Sequence, residues 1–176
     1  MAGMRGKQTV RGMIQSLAVV LGAAFVVYLF VPHDGTGDPV KAKDYRVELV
    51  TARRAAPYAV AAPTGLPADW KPTSARYNRE DHNAWHLGFL DPDGQYVAVE
   101  QSTAPAGKYV PKVTQRAART DRTQQVAGAT WERWEGTKYD ALVRTGENGS
   151  TTVVTGTASF ERLAEMAAAL ESKKAS

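Results

Sequence analysis

Nineteen residues near the start of the chain, Met13–Val31, are apolar apart from Gln15, Ser16 and Gly22. As a helix rising about 1.5 Å per residue, such a run covers the roughly 30 Å of bilayer hydrocarbon. Arg5, Lys7 and Arg11 precede it, Pro32 closes it, and no acid occurs before Asp34. Basic charge confined to one side predicts a cytoplasmic N-terminus, residues 1–12, with everything beyond residue 31 outside. Tyr28 and Phe30 suit the interfacial belt at the outer end. A cleaved secretory signal is the rival reading, since it shares the basic start and apolar core. Against it, the run is long, and Tyr28-Leu29-Phe30-Val31-Pro32 offers a peptidase no small residues. The expectation is a retained single-pass anchor in the cell membrane, followed by a tether over 32–43, an extracytoplasmic domain over 44–171 and a short tail over 172–176.

Charge narrows the partners. Of the 22 Lys and Arg, three lie before the apolar run, leaving 19 to balance 18 Asp and Glu. An interspersed, near-neutral surface argues against a nucleic-acid footprint. The chain has no cysteine, which excludes disulfides, thiolate metal sites and cysteine nucleophiles. An exported domain without disulfides must rest on its hydrophobic core, and residues from about 43 to 171 are enough chain to bury one.

Along that domain, Asp44 can cap a helix with Tyr45, Leu49, Ala52 and Ala56 on one face, although Tyr45, Val47 and Leu49 also fit a strand. Tyr58–Ala62 reads as extended, Thr64–Trp70 as a turn, and Ser74–Asn78 as a strand. The clearest β signal is Trp85–Leu90, then Asp91-Pro92-Asp93-Gly94, then Gln95–Gln101. Pro and Gly at those turn positions favour a hairpin, with Trp85, Leu87 and Phe89 on one face. A short helix is expected over Val110–Ala118, an exposed polar stretch over Thr120–Gln125, and a strand over Val126–Trp134. Asp140–Thr145 and Thr151–Gly156 flank Asn148-Gly149 as a second hairpin. Ser159 caps a final helix whose apolar side is Phe160, Leu163, Met166, Ala167 and Leu170. The fold class that follows is α+β: an N-terminal transmembrane helix, then a small extracytoplasmic domain with a mostly antiparallel sheet and a C-terminal helix packed on it.

Across almost its whole length the chain resembles domain of unknown function 4245, a family of uncharacterised single-pass membrane proteins of actinobacteria. The resemblance is carried by the basic tail with its single anchor, Leu66-Pro67-Ala68-Asp69-Trp70, Trp85-His86-Leu87-Gly88-Phe89 and Glu100-Gln101-Ser102. It continues through Val126-Ala127-Gly128-Ala129-Thr130-Trp131 and Val153-Val154-Thr155-Gly156-Thr157-Ala158. It implies an envelope location and carries no activity or residue roles.

The residues themselves offer little chemistry. His82 and His86 stand four apart, but on a strand that separation spans roughly 13 Å, so no metal site is expected. No serine occupies a strand-to-helix elbow; Ser102 follows a strand and Ser159 reads as a cap. Asp91 and Asp93 suit local turn bonds, and Glu132 and Glu135 fall on opposite faces of a strand. No cofactor is expected. Of the four tryptophans most belong in a core, and strand alternation sends one of Trp131 and Trp134 out of it, Trp134 being the choice. An interaction surface, if there is one, would involve Trp134, His86 and Trp70.

Three functions remain open, in this order: a binding or protein-interaction module of the cell envelope, an envelope hydrolase or cell-wall-modifying enzyme, and a lipid or small-molecule carrier. The partners implied are the membrane through Met13–Val31 and an envelope protein or small ligand. The enzyme requires His82 or His86 to meet a carboxylate within hydrogen-bond reach.

Overall fold

The computed structural model describes residues 12–23, 44–146 and 148–175. The chain divides into two units, and the second, Val40–Ser176, carries the folded domain. In the first, residues 12–23 are helical and exposed, with Met13 67%, Val19 71% and Leu21 59% accessible.

Here the anchor must be corrected. Among the described residues no helix is long and apolar enough to cross a membrane. The described part of that helix, residues 12–23, rises about 18 Å, against the roughly 30 Å a span requires. The remainder of the expected span, residues 24–31, lies outside the described residues, as do residues 1–11 of the tail and the whole of the tether. The transmembrane helix, the single-pass topology, the cytoplasmic N-terminus, the extracytoplasmic domain and the membrane as partner are therefore unsupported by the described residues.

The domain is α+β. Seven strands form one antiparallel sheet in the order β2-β3-β4-β8-β7-β6-β5. They are β2 (Lys71–Asn78), β3 (Ala84–Leu90), β4 (Tyr96–Ser102), β5 (Ala118–Val126), β6 (Ala129–Glu135), β7 (Asp140–Thr145) and β8 (Thr151–Gly156). A separate pair, β1 (Val60–Pro63) with β9 (Leu170–Lys173), joins the two ends of the domain. Three helices complete it: α1 (Arg46–Ala55), α2 (Ala106–Val113) and α3 (Phe160–Ala169).

Both expected hairpins form. Leu90 pairs with Tyr96 across the Asp91–Gln95 turn, where Asp91 Oδ1 accepts from the N–H of Asp93 at 2.9 Å and of Gln95 at 2.7 Å. Ser159 caps α3 by accepting from the Arg162 N–H at 3.4 Å, and the helix packs on the sheet through Leu163, Met166 and Ala167. Other elements differ. The stretch read as one strand, Val126–Trp134, contains a turn, with Ala127 at φ 49° and Gly128 at φ 79°. The polar stretch before it is the edge strand β5, since alternation on an edge needs no apolar face. Lys173, expected in the short tail, lies in β9.

Alternation distributes the core over two layers. Trp85, Leu87, Phe89, Val97, Val99, Leu142, Val154 and Trp131 face α1, α3 and β1. Trp134, Ala141, Val143 and Val153 face the other way, toward Tyr109 and Val110 of α2. The cross-strand pair Trp85 and Gln101 grips β1: Trp85 Nε1 donates to the Ala61 carbonyl at 3.0 Å, and Gln101 Oε1 accepts from the Ala61 N–H at 2.7 Å. Both backbone groups of Ala61 are thus satisfied by side chains of the main sheet. At the centre, β4 and β8 approach so closely that a Cβ on Gly156 would lie 1.8 Å from the Tyr96 carbonyl oxygen.

Candidate functional site

The face opposite β1 carries a row of polar side chains on β2, β3 and β4. Because Trp85, Leu87 and Phe89 point into the covered core, His86 and Gly88 point away from it. The β3–β4 register sets Glu100 directly opposite His86, and the β2–β3 register sets Arg76 on its other side. His86 Nδ1 lies 2.6 Å from Glu100 Oε1, and His86 Nε2 lies 2.7 Å from Ser74 Oγ. A carboxylate only accepts, so Nδ1–H donates to Glu100, which in the neutral imidazole leaves Nε2 to accept from the Ser74 hydroxyl. The side chains of His86 and Glu100 are 16% and 12% accessible.

Ser74 reaches the imidazole because β2 is irregular. Its pairing with β3 shifts between Pro72 and Ser74, a bulge that brings Thr73 and Ser74 beside Gly88. A Cβ on Gly88 would stand 2.5 Å from Ser74 Oγ and 3.1 Å from Thr73 Oγ1. The missing side chain is what makes room for both hydroxyls.

The row continues inward. The Tyr109 hydroxyl is shared between the Gln101 carbonyl at 3.1 Å and Glu100 Oε2 at 3.5 Å. Burial, then the Glu100 charge, pushes the Tyr109 hydroxyl well above the usual tyrosine range. Tyr58 donates to the same Gln101 carbonyl at 3.3 Å and to the Asn83 carbonyl.

Asn83 belongs to the turn between β2 and β3, which has an unusual backbone. His82 and Asn83 stand at φ 51° and 55°, with the Ala84 N–H donating to the Asp81 carbonyl at 3.0 Å. Left-handed residues without glycine are costly and persist when their surroundings over-determine them. Here the His82 carbonyl accepts from Ser102 Oγ at 2.9 Å, Thr103 Oγ1 at 2.9 Å and the Thr103 N–H at 3.0 Å. Tyr77 donates to Asn83 Oδ1 at 3.0 Å.

This pinned turn forms one wall of a cleft of about 390 Å³, whose other walls are Ala104 and Pro105 and the α2 residues Lys108, Tyr109 and Lys112. Lys112 Nζ is paired with Asp81 at 2.6 Å. Lys108 is exposed and, among the described residues, its ammonium has no ion-pair or hydrogen-bond partner. One positive charge is left over beside an apolar floor. A depression of about 550 Å³ near α3 has the opposite character, because its cation Arg162 is taken up by Asp93 at 2.8 Å and Glu165 at 2.9 Å.

The residues singled out from sequence do not converge. Trp70 is buried on the covered face, edge-on to Phe89 at 6.5 Å, with Nε1 donating to Glu165 at 3.4 Å. Trp134 does not leave the core: both faces of its strand are covered, so Trp131 and Trp134 are both buried, at 3% and 7% accessible. His86 shares a face with Trp134 but stands four strands away. Among the described residues no three His, Asp or Glu side chains gather as a metal site would require. Sequence reading missed Ser74, Glu100, Tyr109 and Lys108. The Glu100–His86 pair was recoverable, because a hairpin closed at Asp91–Gln95 sets those two residues opposite each other. Nothing local announces the bulge that delivers Ser74.

An α+β domain with one fully covered face and one partly polar face is the class these features define. The chain belongs to the family described as "Protein of unknown function (DUF4245)", whose profile matches residues 5–170. No curated protein and no solved structure matches it. The family brings no activity with it, and the single-pass membrane character attached to the resemblance is corrected by the absence of a spanning helix among the described residues. The membrane-anchored envelope module, the envelope hydrolase and the lipid carrier lose the anchor on which they rested, and an envelope protein as partner is unsupported.

Proposed function

We propose that this domain recognises a small organic monoanion, a carboxylate on a ring or short apolar body, in the cleft between the His82–Asn83 turn and α2. The observation that carries it is the unpaired Lys108 ammonium set beside an apolar floor and a turn held in left-handed geometry. With Asp81 cancelling Lys112, the cleft has charge for one anion. The Ala104-Pro105 wall and the Tyr109 ring suit the ligand's apolar body, and the volume suits a molecule of modest size. The turn that carries the His82 imidazole has its backbone already pinned, so little backbone ordering is required on binding.

The test is calorimetric titration with benzoate and with benzamide, which share a shape and differ in charge. Saturable binding of benzoate alone is expected. Lys108→Met should weaken it more than about tenfold, the loss of a charge-assisted hydrogen bond of about 1.5–3 kcal/mol. His82→Gly keeps the turn, since glycine accepts positive φ, and removes only the ring. Equal behaviour of benzoate and benzamide, no saturable binding of either, or indifference to Lys108→Met overturns the reading.

A further inference from the structure

The polar row outside the cleft supports an inference that does not depend on ligand binding there. Glu100, His86 and Ser74 form a linear relay in which each ring nitrogen has one partner, at 2.6 Å and 2.7 Å. Cross-strand polar pairing alone accounts for His86 and Glu100, which the register sets opposite each other. It does not account for Ser74, whose register partner is Gly88. The bulge in β2 and the glycine at 88 together turn the serine onto the imidazole. Arg76 occupies the cross-strand position beside His86 on the same face and is exposed.

We propose that Ser74 is an activated nucleophile that accepts an acyl group from an activated ester. Ser74 Oγ forms a bond to the carbonyl carbon while its proton passes to His86 Nε2. Collapse of the tetrahedral intermediate breaks the bond to the leaving oxygen, and His86 returns the proton to it. The products are a Ser74 ester and the free alcohol, with no change of oxidation state. Glu100 is a positioning residue, holding the imidazole in the tautomer whose Nε2 accepts. Arg76 supplies positive charge on the side where the oxyanion develops. Position 74 lies on the edge strand β2, so a substrate approaches without displacing another strand.

The experiment is incubation of the full chain with p-nitrophenyl acetate and, separately, with a fluorophosphonate probe, read by intact mass and peptide mapping. One adduct per chain, on Ser74, is expected in the folded protein and not in the urea-unfolded protein. Ser74→Ala should remove it, whereas Thr73→Ala, which takes away the neighbouring hydroxyl, should leave it. His86→Ala should slow labelling about a hundredfold, and added imidazole should restore part of the rate. Glu100→Gln should slow it less and should gain nothing from imidazole, because the ring is still present. Labelling elsewhere, or at equal rates in folded and unfolded chains, overturns the proposal. So does labelling of Ser74 that a folded His86→Ala variant leaves unchanged. Should His86→Ala fail to fold, the Ser74→Ala and Glu100→Gln variants decide the matter. Loss of benzoate binding with Ser74 labelling intact would overturn the cleft alone, and the converse would overturn only the nucleophile.

Discussion

The two faces of the seven-stranded sheet carry comparable strands but are finished differently. One is roofed by α1, α3 and the β1–β9 pair, and its side chains are almost wholly apolar. The other is roofed by α2 alone over part of its area, with a smaller apolar cluster beside the Ser74, His86 and Glu100 row. A buried polar group is costly unless it is bonded. The covered face meets that condition by exclusion, admitting Gln101 only with its amide bonded to Ala59, Ala61 and Thr152. The open face, Trp134 Nε1 excepted, meets it by networking its polar groups, and so it can hold reactive ones. Stability and chemistry are divided between the two sides of one sheet.

The largest expected effect belongs to the strand pairing the two faces share. Gly156→Ala puts a methyl group against the Tyr96 carbonyl, 1.8 Å from its oxygen, and only separation of β4 from β8 relieves it. A loss of about 3 kcal/mol or more is expected in urea unfolding, with both faces disrupted together. A mild effect would mean the strands are less tightly registered than they stand.

The tryptophans sharpen the contrast. Trp85 on the covered face bonds the Ala61 carbonyl, whereas Trp134 on the other has a buried Nε1 with no acceptor among the described residues. Trp85→Phe loses that bond and orphans a carbonyl. Trp134→Phe removes an N–H already unsatisfied. The first should therefore cost about 1–2 kcal/mol more than the second, both measured by denaturant midpoint. Equal costs would erase the distinction between the faces.

The smallest effect is alkaline. Burial holds Tyr58, Tyr96 and Tyr109 protonated beyond the usual value of 10.0, Tyr96 to about 12, with the Glu100 charge adding to the shift of all three. The unfolded chain therefore gives up its protons first as pH rises. The stability these hydroxyls contribute is complete below about pH 10 and is lost above it, for Tyr96 through about pH 12. Thermal midpoints should hold steady up to pH 10 as far as these groups are concerned and then fall. Tyr96→Phe should flatten part of that decline, and an unchanged slope would show that Tyr96 contributes nothing to it.

The covered face was more legible in the sequence than the open one. Alternation in Trp85–Phe89 and the Asp91–Gly94 turn signal state a hairpin and its apolar side directly, and Ser159 announces α3. Trp134 was misplaced because alternation alone says only that Trp131 and Trp134 part company; it cannot say that a second layer waits on the far side. β5 was missed because an edge strand needs no apolar face, and β9 because four residues after a helix carry no period. The candidate nucleophile was least legible of all. Its serine depends on a bulge and on the absence of a side chain fourteen residues further along.

The β1–β9 pair also has a consequence for synthesis. Thr64 donates its backbone N–H to the Ala169 carbonyl, joining residues 105 apart in the chain. At about 5–20 residues per second, β1 waits roughly 5–20 s on the ribosome for its partner strand to be made. Until then the roof over Trp85 and Leu87 is incomplete, and the nascent chain presents its most adhesive surface to whatever is near. β9 acts as a latch, closing the roof only once it pairs with β1.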